Sequence, residues 1–280
     1  MLTATLLGSA QDGGVPQAGC RCGHCAAALA DRVFERLPVS LALRAPGGLQ
    51  LFEATHALPR QLALAGAQTP ATVWLTHAHL GHIDGLGQFG TEVMNTSEVP
   101  LHCSPAVADI LRTTPAWHAL LDRGNLLLQE FRSGEPVECD GFTVTPLTVP
   151  HRSEAGDTHA LLVSAGRRLL FLPDHDAWGA TLTAVGAASP RDWFRQLGAD
   201  IVLLDGTFWS SGELPRQAEV PHPPVRETLE LLGTRREDDP HVVFIHLNHT
   251  NPLCNPESVE STTLVRSGWE AGREGMSFGL

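Results

Sequence analysis

The sequence predicts a sheet-rich α/β fold, and three observations carry that reading. Short apolar runs of strand length recur along the chain, helical patterns lie between or beside them, and histidines and aspartates gather where the runs end. Strand ends are where α/β folds seat their ligands. In order, residues 2–7 run into Gly8-Ser9-Ala10-Gln11-Asp12-Gly13-Gly14, residues 71–76 into His77, and residues 142–150 into His151. Residues 168–173 then lead to Asp174, 201–204 to Asp205, and 242–245 to His246. Runs this short and rich in Val, Leu and Phe read as buried strands. Helical spacing appears at 106–112, at 191–197 behind Ser189-Pro190, and at 225–232 behind Pro223-Pro224, where proline is preset for a first helical turn.

Composition narrows the function. Of 280 residues 42% are hydrophobic and 18% charged, enough apolar material for a large core and too little charge for a disordered chain. No linker separates parts of the sequence, so one domain over residues 1–280 is expected, with two similar halves. Nineteen basic against 31 acidic residues give a net charge of −12, which excludes an ordinary nucleic-acid-binding protein. Every basic residue is arginine and tyrosine is absent, so Schiff-base lysine and tyrosine chemistry are excluded. No apolar run approaches the ~20 residues of a membrane span. Residues 1–8 lack the pattern of a signal peptide, and a cytoplasmic protein is expected. The expected partner is a small-molecule substrate, with neither nucleic acid nor membrane; the oligomeric state stays open, a homodimer included.

Metal is the cofactor that this composition favours. The chain holds 14 histidines and six cysteines, three of them clustered as Cys20-x-Cys22-x-x-Cys25 and three scattered at Cys103, Cys139 and Cys254. Three thiolates so close together read as a metal or redox site rather than a disulfide framework, against the plainer alternative of reduced cysteines packed in a loop. The sharpest motif is Thr76-His77-Ala78-His79-Leu80-Gly81-His82. In extended chain His77 and His79 point the same way, and His82 can open a helix facing the same cavity. At 14 histidines in 280 positions, a chance HxHxxH has a probability of about 0.03, small enough to set beside the alternative of ordinary core or surface histidines. Imidazole with carboxylate is the ligand set of zinc, iron or manganese sites.

Thr76-His77-Ala78-His79-Leu80-Gly81-His82-Ile83-Asp84-Gly85-Leu86 resembles the T-H-x-H-x-D-H-x-x-G-L signature of the metallo-β-lactamase superfamily. His151, Asp174 in Phe171-Leu172-Pro173-Asp174, and His246 in Phe244-Ile245-His246-Leu247-Asn248-His249 extend the likeness along the chain. The resemblance implies an αββα sandwich of two similar halves with metals at one edge. Gly13-Gly14-Val15-Pro16-Gln17, Asp205-Gly206-Thr207-Phe208-Trp209 and Asn248-His249-Thr250-Asn251-Pro252 look like the pyrroloquinoline quinone biosynthesis protein B branch. The cysteine cluster with His249 also resembles the cyclic phosphodiesterase branch of phosphonate breakdown.

Carried over by position, the resemblance implies one metal on His77, His79 and His151 and a second on His82 and His246, with Asp174 bridging. The ion would be Zn2+, Mn2+ or iron. It also implies a structural Zn2+ on Cys20, Cys22, Cys25 and His249, His24 being the local alternative for the fourth ligand. The departure is Gly81, where the superfamily has an aspartate ligand. The second site is therefore expected to be weaker, empty, or completed by another group, with Asp12 the candidate; Asp84 faces away from His82 on a helix. His222 corresponds to a histidine near the leaving group and is a candidate general acid, against an ordinary helix-entry role. Asp205 is a candidate to orient a metal-bound histidine, against a capping role.

His159 is expected to be structural. His56, His102, His118 and His241 are expected to be surface or packing residues, and Trp178, Trp193 and Trp209 core or pocket wall. The expected function is a metal-dependent hydrolase that uses a metal-activated hydroxide on a phosphodiester or other ester, with Asp174 holding the water and His222 protonating the leaving oxygen. The alternatives are an iron-dependent, dioxygen-using oxidase or hydroxylase of the quinone-cofactor type, and a non-catalytic metal-binding or carrier protein.

Overall fold

A computed structural model describes residues 2–152, 154 and 156–280; Met1, which opens the stretch read for a signal peptide, lies outside them. The first sheet holds β1 (Thr3–Gly8), β2 (Ser40–Ala45), β3 (Gly48–Phe52), β4 (Thr72–Trp74), β5 (Val99–Cys103) and β6 (Leu126–Glu130). The second holds β7 (Val137–Cys139), β8 (Phe142–Val149), β9 (Thr158–Ser164), β10 (Arg168–Leu172), β11 (Ile201–Asp205), β12 (His241–Ile245) and β13 (Glu270–Ala271). A last strand, β14 (Ser277–Gly279), returns to the edge of the first sheet beside β1. All six strands expected from the sequence form, each within two residues of the expected ends.

The two halves share one wiring. Outward from β1 the pairings run antiparallel twice and then parallel three times. Outward from β8 the same order repeats. Edge strands β14 and β7 take matching places, each antiparallel to the first strand of its set.

Between the sheets lies an apolar layer to which both contribute, Leu6, Leu43, Phe52 and Trp74 meeting Phe171, Leu203 and Ile245. Each such side chain removed from water is worth about 1.5–3 kcal/mol. Helices cover the outer faces: after α1 (Gly23–Ala30) in chain order, α2 (Leu58–Ala65), α4 (Pro105–Thr113) and α5 (Pro115–Asp122) close the first sheet, with Ile83 of the short α3 (Leu80–Ile83) in the same core. Against the second sheet pack α6 (Trp178–Val185), α7 (Pro190–Leu197), α8 (Val225–Leu232) and α9 (Val259–Arg266), with Trp178, Trp193, Phe194 and Val225 buried. Cys25 and Ala28 of α1 also join this second outer core, so the amino-terminal segment crosses to the other half.

Local chemistry explains the helix boundaries. Ser104 and Ser189 cap α4 and α7 by accepting from Val107 N at 3.2 Å and Asp192 N at 3.1 Å, with proline at the first turn of each. Gly198 ends α7 in the left-handed region at φ 59°, a conformation glycine adopts without penalty. Among the described residues no helix is long and apolar enough to cross a membrane.

Candidate metal centre

The candidate site residues collect where strands of both sheets end. After β4 the chain stays extended through His77 and His79, and His79 serves as N-cap of α3, whose last turn carries His82. His77, His79 and His151 place one ligand-type nitrogen each within 4.8 Å of the others. His77 Nε2 and His79 Nδ1 approach to 2.9 Å, closer than two bare lone pairs tolerate, so a proton or a cation belongs between them. Thr76 Oγ1 lies 2.9 Å from His77 Nδ1, which ties up that nitrogen and leaves Nε2 for the site.

Asp174 follows β10 and joins the two histidine sets. Its Oδ2 lies 3.3 Å from His82 Nε2, and its Oδ1 lies 3.7 Å from His151 Nε2 and 3.5 Å from His246 Nε2. Burial opposes its ionisation, yet the fields of His246, His82, His77 and His151 outweigh burial and hold the carboxyl well below the usual range. Burial lowers His77 and takes His151 down to about 4, favouring the neutral imidazole that a metal needs. His82 differs: burial pulls it down, but Asp174, Glu53 and Asp12 hold it well above its ordinary value, so positive charge is favoured at that spot.

Several buried atoms here lack hydrogen-bond partners: Asp12 Oδ1, Asp174 Oδ2, and Nε2 of His82, His151 and His246. Buried polar atoms are nearly always paired. Converging nitrogen and carboxylate atoms left unpaired fit divalent cations, with zinc, manganese and iron all compatible.

A third group of residues orders the histidines from behind. Thr207 Oγ1 donates to Asp205 Oδ1 at 2.7 Å, and having a single proton it can only accept from His246 Nδ1, 2.8 Å away. His246 is thereby set with its Nε2 lone pair toward the site. Asp205 Oδ2 accepts from His222 Nδ1 at 2.6 Å. Burial lowers the His222 pKa and Asp205 more than offsets it, leaving it raised. Asp205 thus reaches His222 directly and His246 through Thr207.

The space beside Gly81 is filled by Asp12, the carboxylate named as the candidate to complete the second site. A Cβ built at position 81 would overlap Cβ, Cγ and Oδ1 of Asp12. Asp12 Oδ1 stands 3.3 Å from His82 Nε2 and 3.5 Å from His246 Nε2. Asp84 lies off the site, 3.5 Å from the half-exposed His56.

Two contributors escape a sequence reading. Glu53 is buried at φ 65° just after β3, accepts from Thr76 N at 3.1 Å and lies 3.6 Å from His82 Nδ1. A titratable residue ending a strand was the available signal, and Leu49-Gln50-Leu51-Phe52-Glu53 shows it. Thr207 carried no such signal.

The other assignments resolve individually. His159 heads β9, lies 3.1 Å from Thr148 Oγ1 and edges Phe131, a packing role. His102 stacks on Trp74 at 3.8 Å, His241 pairs with Glu270 at 3.2 Å, and His118 is exposed. Trp178 and Trp193 are core, while Trp209 is half-buried against it.

The cysteine cluster lies beside this centre. Cys20, Cys22, Cys25 and His249 bring their donor atoms within 4.8 Å of one another. His249 Nδ1 is 3.4 Å from both Cys20 Sγ and Cys22 Sγ; tetrahedral zinc with ordinary bond lengths sets neighbouring S and N about 3.6 Å apart. The donor set therefore fits zinc. His24 turns away, its Nδ1 bonded to the His249 carbonyl at 2.9 Å.

Comparison with known proteins agrees with the fold. Over 98% of this chain and 99% of its own length, coenzyme PQQ synthesis protein B of Xanthomonas oryzae pv. oryzae is 29% identical. The namesake protein of a Methylobacterium species is 26% identical over the whole of both chains. Among solved structures, zinc-bound PqqB from Methylobacterium extorquens matches with a TM-score of 0.75 at 22% identity, covering 99% of this chain and all of that one. A diphosphatase of the PhnP family matches at 0.72 and 20% identity, over 99% and 96% of the two chains. Residues 43–247 match the beta-lactamase superfamily domain. With two facing sheets flanked by helices and that match over most of its length, the chain belongs to the beta-lactamase superfamily and has the metallo-β-lactamase fold.

Proposed function

We propose that this protein is a metal-dependent hydrolase acting on a small phosphodiester or other ester. The observation that carries the proposal is the convergence of six side chains, His77, His79, His82, His151, Asp174 and His246, on one space with most of their facing atoms unpaired. His77, His79 and His151 would hold one ion and His82 with His246 another, Asp174 lying between them. Such ions, when bound, supply Lewis acidity that polarises an ester oxygen and makes water a nucleophile near neutral pH.

The chain's own residues do the rest. Asp174, ionised and facing both histidine sets, orients the attacking water by accepting its hydrogen bond. His222, with its Nδ1 proton held on Asp205, would donate a proton to the leaving oxygen. A cavity of about 390 Å3 walled by Leu214, Pro215, Val220 and Pro224 opens beside His222, of a size for a small substrate. A structural zinc on Cys20, Cys22, Cys25 and His249 would tie the glycine-rich loop to the site's edge and, with four ligands, leave no place for substrate.

Likeness along 98% of the chain to coenzyme PQQ synthesis protein B favours a second reading, the same histidines serving iron and dioxygen. One experiment separates the two. The full chain is stripped with chelator, reloaded with Zn2+, Mn2+ or Fe2+, and assayed with bis(p-nitrophenyl) phosphate with and without dioxygen. Metal-dependent hydrolysis indifferent to dioxygen supports the hydrolase. Dioxygen uptake confined to the Fe2+ form, without hydrolysis, supports the second reading and overturns the first.

A further inference from the structure

We propose that Asp12 replaces the carboxylate missing at position 81, completing the His82–His246 metal position from a different part of the chain. The inference rests on the metal-centre reading above. Its foundation is steric: the side chain of Asp12 occupies the volume that a side chain at position 81 would enter, so the two positions are mutually exclusive. Glycine at 81 is then the condition for a carboxylate at 12, not a lost ligand.

The fold delivers Asp12 by main-chain pairing. The loop after β1 bonds the segment after β12 through Gln11 N to Leu247 O at 2.9 Å and Leu247 N to Ser9 O at 2.8 Å, and Ala10 bridges Leu247 in parallel. That pairing sets Asp12 beside His246, whose φ of 60° turns its ring inward from the strand end. Asp12 Oδ1 is buried and unpaired, although the side chain as a whole is 39% exposed. Nothing else in the loop explains a carboxylate oxygen left facing two imidazole nitrogens, at 3.3 and 3.5 Å. With Asp12 in place, the ion would have an N,N,O set plus Asp174, which restores the anionic charge that glycine at 81 removed.

Calorimetric titration of Mn2+ into the full chain tests this, because Mn2+ prefers nitrogen and oxygen donors and leaves the thiolate site to zinc. The parent should take about two equivalents. Asp12→Asn, nearly the same shape, should keep the first and weaken the second on the order of 100-fold. Gly81→Asp alone should not strengthen the second site, because the new side chain collides with Asp12. The paired exchange Asp12→Gly with Gly81→Asp should recover second-site affinity, an outcome that a merely structural role for Asp12 would not produce. A parent that takes one equivalent, or an Asp12→Asn variant that titrates like the parent, overturns the assignment of Asp12 while leaving the histidine site in place. A parent that takes none overturns the metal-centre reading beneath it.

Discussion

Replacing Thr207 by valine removes one hydroxyl from the middle of the site and nearly nothing else. That hydroxyl is fully buried, donates to Asp205 and accepts from His246 Nδ1 at 2.8 Å. Asp205 Oδ1 keeps a bond from Thr207 N at 3.0 Å, so the uncompensated group is the His246 ring. Leaving a buried donor without a partner costs about 1–3 kcal/mol. Losing a ligand's supporting bond lowers metal affinity about 10- to 100-fold, or roughly 1.4–2.7 kcal/mol, the same range by an independent route. We therefore expect Thr207→Val to lose about 2 kcal/mol, which in a chain of this size lowers Tm by about 4 °C, and to bind Mn2+ at the His246 side at least about 10-fold more weakly. Thr207→Ser separates the two readouts. It keeps the hydroxyl and so the metal affinity, while its missing methyl group costs about 1 kcal/mol of stability. If Thr207→Val melts and titrates like the parent, the hydroxyl does not set the His246 ring.

Three further outcomes follow from other parts of the molecule. His151→Ala should shed the ion shared with His77 and His79 and lower phosphodiesterase activity at least about 100-fold, while near-ultraviolet circular dichroism stays close to the parent's; full metal content in that variant would remove the assignment. Cys22→Ser should release zinc to a mild chelator and melt several degrees lower, because metal binding is coupled to folding; equal zinc retention and equal Tm would show that the cluster is not a metal site. Arg191→Met should cost about 1–3 kcal/mol at neutral pH by leaving the buried Asp239 without its guanidinium partner and with only the Arg236 N bond at 2.7 Å, since Arg191 grips its two oxygens at 2.5 and 2.7 Å. Burial raises the Asp239 pKa, and the hydrogen bonds from Arg191 and Arg236 N together with the two guanidinium charges more than reverse that, holding it below its ordinary value. A depressed carboxyl stabilises the fold above its unfolded pKa, and the contribution fades as pH falls through the folded value. Parent and variant should therefore converge below about pH 4 in denaturant titrations; a gap that widens there would refute the pairing.

Local pattern was enough to place six of the fourteen described strands and many of the chemistry-bearing side chains. All six expected strands form, because runs such as Ile201–Asp205 and His241–Ile245 are buried on both faces and no other local structure hides them as well. The i, i+2 spacing of His77 and His79 and the tight Cys20–Cys25 spacing bring their donors together over a few residues, so they were legible without a fold. The eight-residue helices α1 and α6 were not, since Ala- and Gly-rich sequences such as Gly23–Ala30 carry little periodic signal and form through tertiary packing. Sequence distance hid the rest of the site. Glu53 reaches His82 only because β3 and β4 run parallel side by side. Thr207 meets His246 because β11 and β12 are neighbours. The occupancy of the space beside Gly81 was decided by a loop pairing between residues 9–11 and Leu247. Side-chain periodicity reports only which face of an element is buried; which distant residues share a cavity is set by strand order and backbone hydrogen bonding, and these form only when the two halves close on each other.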